Sequence, residues 1–225
     1  MAYQQGDTIT ASDYNTFAGN INAVIGTGSG TSGYGLSEIS TISAGDTISA
    51  AQWNSLLSGL QKAATHQGTS VTNASNTVST GGNILPLSNF EADITAITNN
   101  KANAAGGNMS TGVAGTSSTR TSAWTSNINH IFTVTFASAN AARHFFNTGG
   151  KIKLAFSRSG GSSTDQNTSW TNLLSGVGTV TFANTASGSS GSVGFENLTA
   201  SDQAIFNSAV GSGDYSANDV NVNAK

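Results

Sequence analysis

Apolar residues recur at helical spacing in two stretches near the start of the chain: Tyr14, Phe17, Ile21, Val24 and Ile25, then Trp53, Leu56, Leu57, Leu60 and Ala64. Side chains three and four positions apart share a helix face, so each stretch predicts a one-sided helix. Both open on the same phrase, GDTITASDYN from Gly6 and GDTISAAQWN from Gly45. In the first copy Thr10 can cap the helix, Asp13 can bond back to it as the fourth member of a capping box, and Ile9 can reach Tyr14 as a hydrophobic staple. The second copy repeats these roles with Ser49, Gln52, and Ile48 with Trp53. A third helix is predicted at Ser88, with a Ser88–Glu91 box ahead of Phe90, Ile94 and Ile97; Pro86 sits just before it and Gly106-Gly107 ends it. Two repeats fall short of the three or more that a solenoid needs, so the stripes must meet each other, the C-terminal region or another subunit. Tyr14, Phe17, Ile21, Trp53, Leu56 and Leu60 are therefore candidate assembly or docking residues. The competing reading makes them the core of a small helical domain.

From about Asn127 the period shortens. Ile128, Phe132, Val134 and Phe136 lie in a run with alternation, as do Ile152, Leu154 and Phe156, then Val180 and Phe182, and finally Val220, Val222 and Ala224. Side chains two apart share a sheet face, which predicts strands. Short helices are expected in SANAARHFFNTGG, ended by Gly149 or Gly150, in TSWTNLLSG, and in TASDQAIFNSAVG. The expected core of this half is Phe132, Phe136, Phe145, Phe156, Trp170, Leu173, Phe182 and Phe206. The fold class is thus α+β: a helical repeat segment at residues 1–107, a Gly/Ser/Thr-rich linker at 108–126, and a mainly β, sandwich-like domain with short helices at 127–225.

Composition narrows the function classes. Charged residues make up 8% of the chain, against about 25% in typical soluble proteins, so the surface is polar but nearly neutral. Eight Lys and Arg scattered through a chain of net charge -3 give no basic patch for nucleic acid. With 36% hydrophobic residues the chain departs from the highly charged, apolar-poor composition of disorder, and weak repulsion between copies suits a stable assembly. The chain has no cysteine, so neither a disulfide framework nor a thiolate metal site is expected. MAYQQGDT lacks the basic and apolar segments of a signal peptide, and no run approaches the roughly 18 apolar residues of a membrane span. Synthesis and folding in a cytoplasm, without membrane insertion, is the expectation.

Candidate chemistry is sparse. His66, His130 and His144 stand apart without a partner at ligand spacing, a weak case for zinc. Gly28, Gly30 and Gly33 satisfy G-x-G-x-x-G, but a helix rather than a strand precedes them, against dinucleotide binding. No G-x-S-x-G elbow or Walker sequence is present. The acids of the C-terminal half, Asp165, Glu196, Asp202, Asp214 and Asp219, show no spacing that favours a glycosidase pair, and Asp202 and Asp214 suit a helix start and a turn. DVNVNA at Asp219 resembles the opening of a calcium loop, but Ala224 stands where glycine is needed, so it reads as a terminal strand. Trp170 reads as core because Leu173 and Leu174 continue its helical face. No catalytic residue or cofactor is assigned.

GDTITASDYN with INAVIGTGSGTSGYG resembles the opening of a group of structural proteins of tailed bacteriophages, notably marine and cyanobacterial ones. AARHFFNTGGKIKLAFSRSGG, QNTSWTNLL and YSANDVNVNAK are similar to a C-terminal module in the same group; residues 66–125 match nothing in it, and Leu36 stands where Gln usually follows the Tyr-Gly pair. The resemblance implies a non-enzymatic virion protein, a multimeric tail or neck appendage or fibre component. Its implied partners are other copies of itself, a trimer being the natural guess, and other virion proteins. A receptor module binding host surface glycan through Trp124, Trp170 or Tyr215 is the second expectation.

Overall fold

The computed structural model describes residues 8–82, 87–110, 112, 117–124, 127–185, 193–209 and 219–225. Among them are five α-helices and four strands, the helices mainly N-terminal and the strands C-terminal, an α+β arrangement. Helix α1 (Ala11–Ile25) begins at Thr10, whose side chain accepts from the Asp13 N–H while Asp13 accepts from the Thr10 N–H at 2.8 Å. Helix α2 (Ala50–Gln67) repeats the box with Ser49 and Gln52. Each box satisfies amide donors that the first helical turn leaves free. Ile9 and Ile48 pack at the edge of the core, as a staple requires. Helix α3 (Leu87–Asn99) starts one residue before Ser88, which is therefore helical and not the cap. Pro86 and the Ser88 side chain lie outside the described residues.

The three apolar stripes close on one another. Phe17, Trp53 and Phe90, one ring from each helix, meet with centroids 5.2–6.3 Å apart. Around them Tyr14, Ile21, Leu56, Leu60 and Ile97 are each 1% exposed or less. All six candidate docking residues are thus interior to one chain. In the single chain the third helix covers both stripes, which is the arrangement of the competing reading, a small helical core. Gly59 permits the close approach, since a Cβ there would stand 2.8 Å from the Ile39 methyl and 3.0 Å from Ile21.

The connections are held by side-chain amides. Asn22 donates to the Ile39 carbonyl and accepts from its N–H, at 2.9 and 2.8 Å, and Asn15 does the same with Ile42 at 2.9 Å each way. Seven helical residues rise about 10.5 Å and three extended residues about 10 Å, so the chain from Leu36 to Ile42 runs back along α1 in step with it. Asn54, which stands in α2 where Asn15 stands in α1, clasps Val78 in the same way at 3.0 and 2.8 Å. The repeated phrase is therefore a capped helix start that also carries a clasp for the returning chain. Buried Asp93 of α3 completes the set by accepting from the Thr72 and Asn73 N–H groups, both at 2.9 Å.

In the C-terminal half, α4 (Ala139–Asn147) leads to β1 (Ile152–Ala155), α5 (Asp165–Val177) and β2 (Thr179–Phe182), followed by β3 (Gln203–Ala209) and β4 (Asp219–Ala224). β1 pairs antiparallel with β2, Ile152 opposite Phe182, and β3 pairs antiparallel with β4. Apolar residues of both ladders meet in one cluster around Phe146. Phe146 stacks on Phe195 at 4.4 Å and meets the edge of Phe182 at 5.4 Å.

Three expectations change here. TASDQAIFNSAVG is not a helix: β3 occupies its centre, because β4 supplies a ladder and a register irregularity between Ala204 and Phe206 lets the adjacent Ile205 and Phe206 both face inward. Asp202 consequently precedes a strand, where it pairs with Lys225 at 3.4 Å on the open surface. Residues 127–136 form no ladder among the described residues, and Phe132 and Phe145 are each 37% exposed. The nine-residue α4 turns Ala142 and Phe146 inward instead, four apart on one face. Leu173, Phe182 and Phe206 are buried, Phe136 and Phe156 pack at the cluster's margin, and Trp170 is half-buried.

Trp53→Ala removes one of the three central rings and is expected to cost about 3–5 kcal/mol. Urea unfolding followed by circular dichroism checks this; an unchanged midpoint would place the ring outside the core.

Candidate functional site

The densest convergence of polar side chains joins the two halves of the chain. After α1, the segment GTGSGTSGYG turns back on itself: the Gly33 N–H donates to the Ala23 carbonyl, Gly35 to Gly26 and Leu36 to Ile25, at 2.8–3.0 Å. These bonds turn the loop's donors inward and leave its carbonyls facing α4. Gly33 is buried with φ +90°, and a Cβ there would meet the Gly26 carbonyl, so a residue without a side chain is required.

Helix α4 reads those carbonyls. Arg143 donates from one guanidinium nitrogen to the Ser32 carbonyl at 2.6 Å and from the other to Thr27 at 2.5 Å. Asn147, 2% exposed, directs its amide nitrogen at the carbonyls of Gly30, Ser32 and Gly33, at 3.0–3.2 Å. The planar guanidinium fork suits two divergent acceptors. Such a loop is the electrostatic opposite of a phosphate cradle, in which backbone N–H groups point at the ligand. The G-x-G-x-x-G match therefore serves a cation, and the cation is Arg143.

Further bonds tie the joint to the bundle. Gln67 donates to the Tyr34 hydroxyl at 2.8 Å, and that hydroxyl donates to the Lys101 carbonyl at 2.6 Å. Burial raises the Tyr34 pKa, and the Gln67 hydrogen bond partly offsets this. His66 meets the Thr148 carbonyl at 2.9 Å, and His144 lies 2.9 Å from Arg143 and 3.3 Å from the Thr27 carbonyl. His130 bonds the Ser118 hydroxyl at 2.7 Å. Each histidine thus has a partner, and no group of three metal-ligating side chains occurs among the described residues. At the exposed rim, the Thr27 hydroxyl donates to Glu38 at 2.6 Å, followed by its backbone N–H at 3.2 Å, and together they hold the Glu38 pKa below 4.5.

Two other places have candidate chemistry. An open cleft of about 600 Å³ is lined in part by Asn54, Gln61, Lys62, Thr65, His66 and Asn108. Trp124 and Trp170, both half-exposed, meet edge to face at 6.0 Å, with Arg158 donating to Thr171 on the same helix as Trp170 at 3.5 Å. Trp170 is thus less buried than its helical spacing suggests. Tyr215 and Asp214 lie outside the described residues. The joint itself was missed from sequence, because it pairs residues more than a hundred positions apart.

No helix among the described residues is long and apolar enough to cross a membrane. No protein-family model matches the chain, and neither does any curated protein or solved structure.

Arg143→Ala removes charge-assisted bonds of about 1.5–3 kcal/mol. It is expected to speed amide exchange at Gly33 and Gly35 roughly ten- to a hundredfold, with Arg143→Lys recovering only part; unchanged exchange would mean that the joint does not hold the loop. For Glu38 the sign follows from its lowered folded pKa: its stabilising contribution is full above pH 4.5 and fades as pH falls through the lower folded value. The difference in stability between wild type and Glu38→Gln should therefore shrink on acidification, and a Glu38 carboxyl titrating by NMR at or above 4.5 would contradict the contact.

Proposed function

We propose that the chain is a non-enzymatic structural protein of a tailed bacteriophage particle, a homo-oligomeric tail or neck appendage or fibre component. The observation that carries this reading is the joint. INAVIGTGSGTSGYG and AARHFFNTGGKIKL, which resemble the same phage structural group from distant parts of the sequence, are the two sides of one contact, through Arg143 and Asn147 on the carbonyls of residues 27–33. That both stretches meet in one contact supports the reading. The converging polar groups are committed to holding the chain to itself, which favours a mechanical role over a chemical one. The nearly neutral surface, with 8% charged residues, suits contact with further copies and other virion proteins. The apolar faces of α1 and α2 are not the attachment surface, since they are buried within the chain.

A second reading, recognition of host surface glycan, is favoured by the half-exposed Trp124–Trp170 pair, since sugars stack on aromatic faces.

Proteomics of purified particles, with imaging by antibody against this chain, is expected to find it in stoichiometric amounts at the tail or neck. Its absence from intact particles overturns the placement. A glycan array probed with the full chain and with Trp170→Ala separates the second reading: binding lost in the variant supports it, and no binding to host polysaccharides removes it.

A further inference from the structure

The phrase TVTFA occurs twice, at Thr133–Ala137 and at Thr179–Ala183. The second copy forms β2 and pairs with β1 residue by residue. The first forms no ladder among the described residues, and none of the backbone groups of residues 127–137 has a backbone hydrogen bond there apart from those inside helices and strands. Its apolar side chains are open to solvent: Ile131 is 89% exposed, Val134 46% and Phe132 37%. Phe136 packs inward, against Phe145 and Phe146 at 5.4 and 6.0 Å, Ile128 is half-buried, and Phe132 stacks on His130 at 6.5 Å. The words TVTF thus form a paired strand at Thr179–Phe182 and, at residues 133–136, a segment without a ladder among the described residues. Among the described residues the backbone of this segment has no ladder partner, although its sequence is competent to pair.

We infer that residues 130–136 are an assembly strand completed by the same segment of a second copy, antiparallel across a two-fold axis at Thr133. Three properties of the segment select a second copy. The run from Asn127 to Ser138 contains no Asp, Glu, Lys or Arg, so two copies oppose no like charges. Antiparallel pairing about Thr133 sets Phe132 opposite Val134 and Thr133 opposite itself, the aromatic–β-branched and Thr–Thr pairs that stabilise cross-strand contacts. A two-fold contact asks nothing of any other surface, because each copy supplies the same patch. Pairing also covers an exposed apolar edge of the kind that soluble proteins otherwise protect. The inference gives the homo-oligomer proposed above its contact surface and rests on that reading for its setting.

The absence of native cysteine makes the test direct. Full-length wild type is expected to show a dimer or higher multiple by light scattering. Thr133→Cys should form an intermolecular disulfide on mild oxidation, since paired strands bring the α-carbons within disulfide reach; Ser12→Cys, exposed on α1, should not. Val134→Asp should raise the dissociation constant at least about tenfold while leaving the circular dichroism melt unchanged, because the side chain is exposed in the single chain. If that variant fails to fold, the Thr133→Cys cross-link still decides. A monomeric wild type without cross-linking overturns the inference. So do an oligomer that survives Val134→Asp without a Thr133 cross-link, and a different protein captured on the segment in place of a second copy. Particles that contain the chain while its copies stay single would sink this surface and leave the placement standing; paired copies absent from particles would do the reverse.

Discussion

The structure depends on side-chain amides and a guanidinium bonding directly to backbone that belongs to another part of the chain. A chain with few charges has little use of ion pairs, and long connections full of Gly, Ser and Thr offer little apolar surface to pack. Their backbone groups still need partners wherever they approach the core. Asn15, Asn22 and Asn54 meet that need by donating and accepting at one residue of an extended segment, as a neighbouring strand would. Arg143 and Asn147 apply the same logic between the two halves, bonding to carbonyls that the glycine loop turns toward them. Such bonds change little with salt, because one side of each is an uncharged peptide group.

The chain's apolar residues gather in two separate clusters. The bundle closes on Phe17, Trp53 and Phe90 and leaves its apolar stripes inside. The C-terminal half is built from two-stranded ladders, which are marginal alone, and it gains a core where both lean on Phe146. Among the described residues, Ile131, Phe132 and Val134 are the apolar side chains of this half that stand exposed in a segment without a ladder.

Much of this was legible in the residues. Capping boxes are local, set by four consecutive positions, and both N-terminal boxes form as written at Thr10 and Ser49. Helical spacing marked the apolar faces of α1, α2 and α3, and alternation marked β1, β2 and β4, since each signal is a property of one face of one element. What covers a face is not local. The stripes of α1 and α2 read equally well as a docking surface or as a core, and only the placement of α3 decided for the core.

The remaining misreadings share that cause. Gln203–Ala209 carries adjacent Ile and Phe, which fit either period, and the pairing with β4 made it a strand. Residues 131–136 and Thr179–Phe182 share the words TVTF, yet one is exposed and the other is a buried ladder, because only the second has β1 beside it. By itself, the sequence determined the caps, the element faces and the neutral surface, all of which follow from neighbours a few residues apart. The tertiary structure decided which faces meet, that the glycine loop offers carbonyls to Arg143, and which copy of TVTF is paired, because these depend on hydrogen bonds and packing between residues far apart in the chain.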